Sequence, residues 1–170
     1  MIKRSVEYKL ISKHYGDRVA KRSGVPLMNH INEGLIILKA IGAVESTKRA
    51  YCLHPLFQAD EDLQENYYMC SFVEPYVLLL ALEYRNTANA YLSDKIDTDW
   101  KLKLSPILEV NEMLIADKVQ NRKDFITYHQ GTHARSDALT RYFDKWLDAL
   151  GIDATTYEFL CKRIDDERSN

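Results

Sequence analysis

The chain has 170 residues, with 23 Lys+Arg against 25 Asp+Glu and a formal net charge of -2. That balance disfavours a basic nucleic-acid glove, so no long nucleic acid is expected as a partner. With 46% hydrophobic and 28% charged residues but only 6 Gly and 4 Pro, the composition suits one globular domain and lacks the turns of an all-β sandwich or barrel.

Met1-Ile-Lys-Arg lacks the apolar core and cleavage site of a signal peptide. Ile31, Leu35, Leu38 and Ile41 step by four and three, which predicts a helix ended by Gly42. Glu45-Ser-Thr opens a second helix through Ala50 and Leu53, with Pro55 expected to kink or break it. Pro75 opens a third through Val77, Leu80, Ala81 and Tyr84. Its polar residues Tyr84, Arg85 and Asn86, with Tyr91, are expected on the outer face. Ser105-Pro106 begins a helix carrying Leu108, Met113, Leu114 and Val119. Ser136 to Leu150 is amphipathic, turns Leu139, Phe143, Trp146, Leu147 and Leu150 inward, and stops at Gly151. Thr155-Thr156 is read as the cap of a last helix through Phe159, Leu160 and Ile164, and the charged tail Arg163 to Asn170 as a fraying end. Loops are expected at Lys21 to Pro26, Asp94 to Trp100 and Gln130 to Arg135. No run keeps a period of two for long. The expected fold is all-α, a single bundle of about seven helices spanning residues 1–170.

The longest apolar run, Val77 to Leu82, falls far short of the roughly 20 residues that a membrane span needs. No membrane partner and a cytoplasmic location are expected, with an oligomer left open. Cys52, Cys70 and Cys161 form no CxxC pair, so they read as reduced thiols rather than a disulfide framework or zinc ribbon.

Three residues stand apart from the helical pattern. His14, His129 and His133 lie in polar stretches and read as surface residues. His30, by contrast, opens an apolar helix, and His54 ends another just before Pro55. Asp117 lies within Met113-Leu-Ile-Ala-Asp-Lys-Val, where a charge must be paired, coordinated or exposed. With Lys118 alone it would make an ordinary surface pair.

Taken together, these residues resemble the HD-domain hydrolase region of the RelA/SpoT alarmone enzymes and their small stand-alone relatives. The stretch Lys21-Arg-Ser-Gly-Val-Pro-Leu-Met-Asn-His30 is similar to the family's basic–Ser/Thr–Gly–x–Pro–Tyr–Ile–x–His segment, whose His is a metal ligand. The family's second His follows about two dozen residues later, and His54 is 24 residues after His30. The last ligand is the Asp of a Leu-Ala-Asp-Arg/Lys-Leu-x-Asn motif, read here as Ile115-Ala-Asp-Lys-Val-Gln-Asn121. Tyr142, Phe143 and Trp146 fall where the stand-alone relatives carry an aromatic helix. The likeness covers about Tyr15 to Gly151.

The resemblance implies an HD-like helical domain with His30, His54 and Asp117 as metal ligands. Two imidazoles and one carboxylate with open positions suit Mn or Fe better than Zn. It also implies a small nucleotide ligand carrying a pyrophosphate, as in (p)ppGpp. Lys21 and Arg22 would contact base and phosphates, Asn121 the ribose, and Arg122 with Lys123 the phosphate oxygens. Two departures bear on catalysis. The family's His-Asp dyad is His54-Pro55 here, so one ligand is missing. The acidic pair that follows is replaced by Gln58 and Ala59, ahead of a shifted run Asp60-Glu61-Asp62. On an unbroken helix Glu61 would lie about 20° and Gln58 about 40° from His54. Gln58, Asp60 and Glu61 are therefore the candidates for positioning the attacking water, Gln58 only by orienting it. The sequence thus supports a divergent metal-dependent nucleotide phosphohydrolase and an inactive protein that binds or sequesters a nucleotide about equally, and more weakly a purely structural helical module that keeps the motif as a relic.

Overall fold

The apolar periodicity resolves into eight α-helices among the described residues, 2–21, 23–92 and 101–168 of the computed structural model. They are α1 (Val6–Tyr15), α2 (Met28–Ala40), α3 (Glu45–Phe57), α4 (Asp60–Asn66), α5 (Pro75–Asn89), α6 (Leu108–Tyr128), α7 (Ser136–Ala149) and α8 (Ala154–Arg168). Short 3₁₀ turns cover Ile2–Arg4 and Tyr67–Phe72. Among the described residues no strand forms, only an isolated bridge between Val19 and Pro26. No helix among them is long and apolar enough to cross a membrane. The expected loop at Asp94 to Trp100 lies outside the described residues.

Helix α3 is the axis of the bundle. It packs against α1, α2, α5 and α6, and Ala50, Tyr51, Cys52, Leu53, Leu56 and Phe57 are fully buried. A helix buried nearly all round must be apolar all round, which explains its weak amphipathic pattern. Helix α6 runs across α2 and α5, and α7 and α8 close the far side. The aromatic residues Tyr142, Phe143 and Trp146 of α7 are core residues. The thiols of Cys52, Cys70 and Cys161 are free.

Several boundaries differ from the sequence expectation. Pro55 does not break α3, which continues to Phe57. The chain turns instead at Ala59, whose ψ of 165° is extended. The helix expected from Ser105-Pro106 begins at Leu108, because the Ser105 hydroxyl accepts the Ile107 N–H and holds an extra turn. The last helix is capped by Asp153, whose carboxylate accepts the Thr156 N–H at 2.7 Å, and not by Thr155-Thr156. Nor does the tail fray over its described length. Ile164 is buried, Glu167 pairs with Lys39 at 2.6 Å and Arg168 with Glu33 at 2.8 Å. Helices α1 and α4 are additions to the helices named from the periodicity. Helix α1 is anchored by buried Glu7, which pairs with Arg49 of α3 at 2.8 Å.

One close approach fixes α2 on α3. Gly34 lies where any Cβ would overlap the Tyr51 ring and hydroxyl. Overpacking there costs about 1–3 kcal/mol or more, so Gly34→Val is expected to lower the melting temperature by several degrees. A melting temperature equal to that of the wild type in calorimetry would contradict this seating.

Candidate metal centre

The local chemistry begins with three helices meeting at one point. His30 opens α2, His54 lies near the end of α3, and Asp117 is midway along α6. Their Nε2, Nε2 and Oδ1 atoms are 3.1, 3.5 and 3.7 Å apart in the pairs His30–His54, His30–Asp117 and His54–Asp117. Those edges leave a common point about 2 Å from all three atoms, a metal–ligand bond length. The group is the one cluster of three potential metal donors found among the described residues. His54 and Asp117 are buried and His30 is half-buried.

Partners on the outer side fix which atoms face inward. His54 Nδ1 is 2.6 Å from the Tyr51 carbonyl, which can only accept, so Nδ1 carries the hydrogen and Nε2 the lone pair. His30 Nδ1 is 2.7 Å from Gln120 Oε1. The amide orientation of Gln120 is itself determined, because its nitrogen donates to two carboxylates, Asp124 at 2.8 Å and Glu33 at 3.2 Å. Gln120 Oε1 therefore accepts from His30 Nδ1, which leaves His30 Nε2 facing the cluster. The two Nε2 atoms and a carboxylate oxygen then face one another, an arrangement that a shared proton or a cation between them satisfies.

Asp117 is equally constrained. Its Oδ1 accepts from Asn121 at 2.8 Å, and its Oδ2 lies 2.7 Å from Lys118 Nζ. Lys118 is no surface residue. It is buried, with its ammonium 5.0 Å from the Trp146 ring centroid and 5.4 Å from that of Tyr142. Burial raises the Asp117 carboxyl, but Lys118, His30 and His54 outweigh it and hold the group well below the usual carboxylate range. Burial, reinforced by His30, pushes the His54 imidazole down to about 3. Both groups thus keep the proton-free form that a metal ligand needs.

A cavity of about 510 Å³ opens above the cluster, within the usual range for small-ligand pockets. All three donors line it, together with Tyr15, Gln58, Tyr84, Lys118 and Asn121. Ala20, Ser23, Val25, Pro26 and Leu27 form one wall, held by the Val19–Pro26 bridge and by Ala20 donating to the Val25 carbonyl at 2.8 Å. Tyr84 lies inward, against expectation, with its ring 4.8 Å from that of His54. Helix α5 is buried on that side, so a polar side chain there faces the site.

The remaining sequence candidates separate. Asn121 and Gln58 are on the cavity wall, the latter tied to Asn89 at 2.6 Å. Asp60 and Glu61 are exposed and off the wall, and Asp60 pairs with Arg85. Asp62 is the member of the acidic run that reaches the cavity, because the turn at Ala59 re-phases α4 relative to His54. Arg122 faces away, 3.0 Å from Asp144 and over the Tyr157 ring at 4.5 Å. Lys123 pairs with Glu33 at 3.0 Å and with Asp124 at 2.9 Å. Lys21 is exposed and off the wall, and Arg22 lies outside the described residues. Glu33, Gln120 and the Tyr51 carbonyl were not singled out from sequence. The available signal was spacing, since Glu33 and Gln120 each follow a ligand by three residues on one helix face.

Comparison of the chain with models of known protein families, with curated proteins and with solved structures finds no match.

The depressed His54 pKa has a consequence for the chelator-treated protein. Unfolded, the imidazole takes a proton near its ordinary 6.5, whereas folded it resists until about 3. The unfolded state binds more protons in that window, so stability falls with acidification, by up to about 1.4 kcal/mol per pH unit from this residue. Asp117 acts in the same direction below its ordinary value of 3.8. Urea denaturation at pH 7, 5.5 and 4.5 should show this loss, and a flat profile would contradict the buried neutral imidazole.

Proposed function

We propose that the chain is a divergent HD-type metal-dependent phosphohydrolase acting on a small nucleotide. The observation that carries this reading is the convergence of His30, His54 and Asp117, each with its donor atom aimed inward, on the floor of a nucleotide-sized cavity. The donor set accepts Mn or Fe, and Zn at similar distances. A divalent ion held there supplies Lewis acidity toward water and phosphoryl oxygens.

The chain's own residues supply the rest. Lys118 has donors beyond the one it gives Asp117 and lies on the cavity wall, where it can hold a phosphoryl oxygen. Asn121 spends its amide nitrogen on Asp117, leaving its carbonyl oxygen to accept from a sugar hydroxyl. Asp62 replaces Asp60 and Glu61 as the carboxylate that can position a water. It already accepts the Ala59 N–H at 3.2 Å, which fixes its direction. Gln58 orients but takes no proton. Among the described lining residues Lys118 is the one Lys or Arg, against Asp62, Asp117 and Asp124.

A second reading, a nucleotide-binding protein without turnover, is favoured by the residues beside His54. Pro55 offers no side-chain donor and Gln58 no base, so neither of these two wall residues is a proton acceptor. The two readings separate in one experiment. Wild-type protein loaded with Mn(II) should release phosphate from a nucleoside monophosphate. Asp117→Asn should abolish both turnover and metal retention and lower the melting temperature, since Lys118 loses its buried ion-pair partner. Phosphate release that survives Asp117→Asn would sink the hydrolase reading. No release from any nucleotide, combined with a rise in melting temperature of several degrees at 100 times Kd, would establish binding without chemistry.

A further inference from the structure

We infer that Pro55 is a positioning residue for the candidate metal centre: by withholding a backbone N–H, it leaves the Tyr51 carbonyl free to hold His54. The inference rests on the metal-centre reading for its purpose but not for its geometry. In an α-helix the N–H of residue 55 bonds to the carbonyl of residue 51. Helix α3 runs unbroken from Glu45 to Phe57 with Pro55 inside it, so the acceptor is in place and the donor is missing. His54 Nδ1 takes that acceptor at 2.6 Å. The bond fixes the Nδ1–H tautomer and points the Nε2 lone pair at His30 Nε2, 3.1 Å away, and toward Asp117 Oδ1 at 3.7 Å.

The acceptor is itself immobilised. Tyr51 is fully buried and its hydroxyl is seated over Gly34, so its carbonyl cannot swing away. No other described side chain is hydrogen-bonded to this imidazole at Nδ1. Proline inside a helix costs about 3 kcal/mol, and here the residue sits on the wall of the cavity, beside a ligand, where a freed carbonyl is used. Pro55 thus acts through His54: the position that the resemblance assigns to a coordinating carboxylate carries a residue that orients the neighbouring imidazole.

The test is the histidine ring nitrogen spectrum of the full-length, chelator-treated protein, with Mn(II) affinity as a second readout. Wild-type His54 should be the Nδ1–H tautomer at pH 7. Pro55→Ala restores the competing N–H and should shift His54 toward the Nε2–H form. It should also weaken Mn(II) binding by at least tenfold, the scale on which partners outside the ligand shell act. Its melting temperature should hold or rise, because alanine favours the helix. An ester-linked lactyl residue at position 55, which lacks both the ring and the N–H, should restore the wild-type tautomer and affinity. Wild-type His54 as Nε2–H would overturn the inference. So would Pro55→Ala with unchanged tautomer and affinity within twofold. Should Pro55→Ala fail to fold, the wild-type and lactyl spectra decide alone. A tautomer shift in a protein that binds no Mn(II) would uphold the role of Pro55 and remove the hydrolase reading instead.

Discussion

Two imidazole nitrogens and a carboxylate oxygen are held within 3.7 Å of one another at the junction of three helices. Side chains at such a junction have other rotamers open to them, so this convergence has to be held in place. Each group is fixed by a bond on its far side. His54 is held by the Tyr51 carbonyl, His30 by Gln120, and Asp117 by Asn121 and Lys118. The bundle therefore holds three atoms capable of binding a metal around one point.

The supporting bonds reach well beyond the cavity. Gln120 is oriented by Glu33 and Asp124, and Glu33 is in turn neutralised by Lys123 at 3.0 Å and Arg168 at 2.8 Å. A buried carboxylate is tolerable only when paired, so the last described turn of α8 contributes to the setting of His30 on α2. This explains why the charged C-terminal segment docks. One of its ion pairs, Arg168–Glu33, is with a group that orients Gln120 and through it His30.

The helices with the strongest punctuation were the most legible. Pro75, Gly42 and Gly151 mark ends that hold in the structure, because a missing N–H or a positive φ is a local property. Pro55 misled because tertiary packing around α3 overrides a single missing hydrogen bond. His30, His54 and Asp117 stood out in the sequence as polar residues in apolar helices, and their convergence is geometric. Their supports did not, because a backbone carbonyl such as that of Tyr51 carries no sequence signal. Within the acidic run the wall position was not legible, since an extended Ala59 resets the helical phase and brings Asp62, rather than Asp60 or Glu61, to the cavity. Arg122 follows Asn121 by one residue, about 100° round the helix, which turns it toward Asp144 and Tyr157.

The central claim is that His30, His54 and Asp117 share one cation. X-ray absorption of the full chain loaded with one equivalent of Mn(II) tests it most directly. The account predicts stoichiometric binding and two imidazole rings plus oxygen donors, each at about 2.1 Å from the ion. An ion surrounded by oxygen alone, with no imidazole scattering, would contradict it.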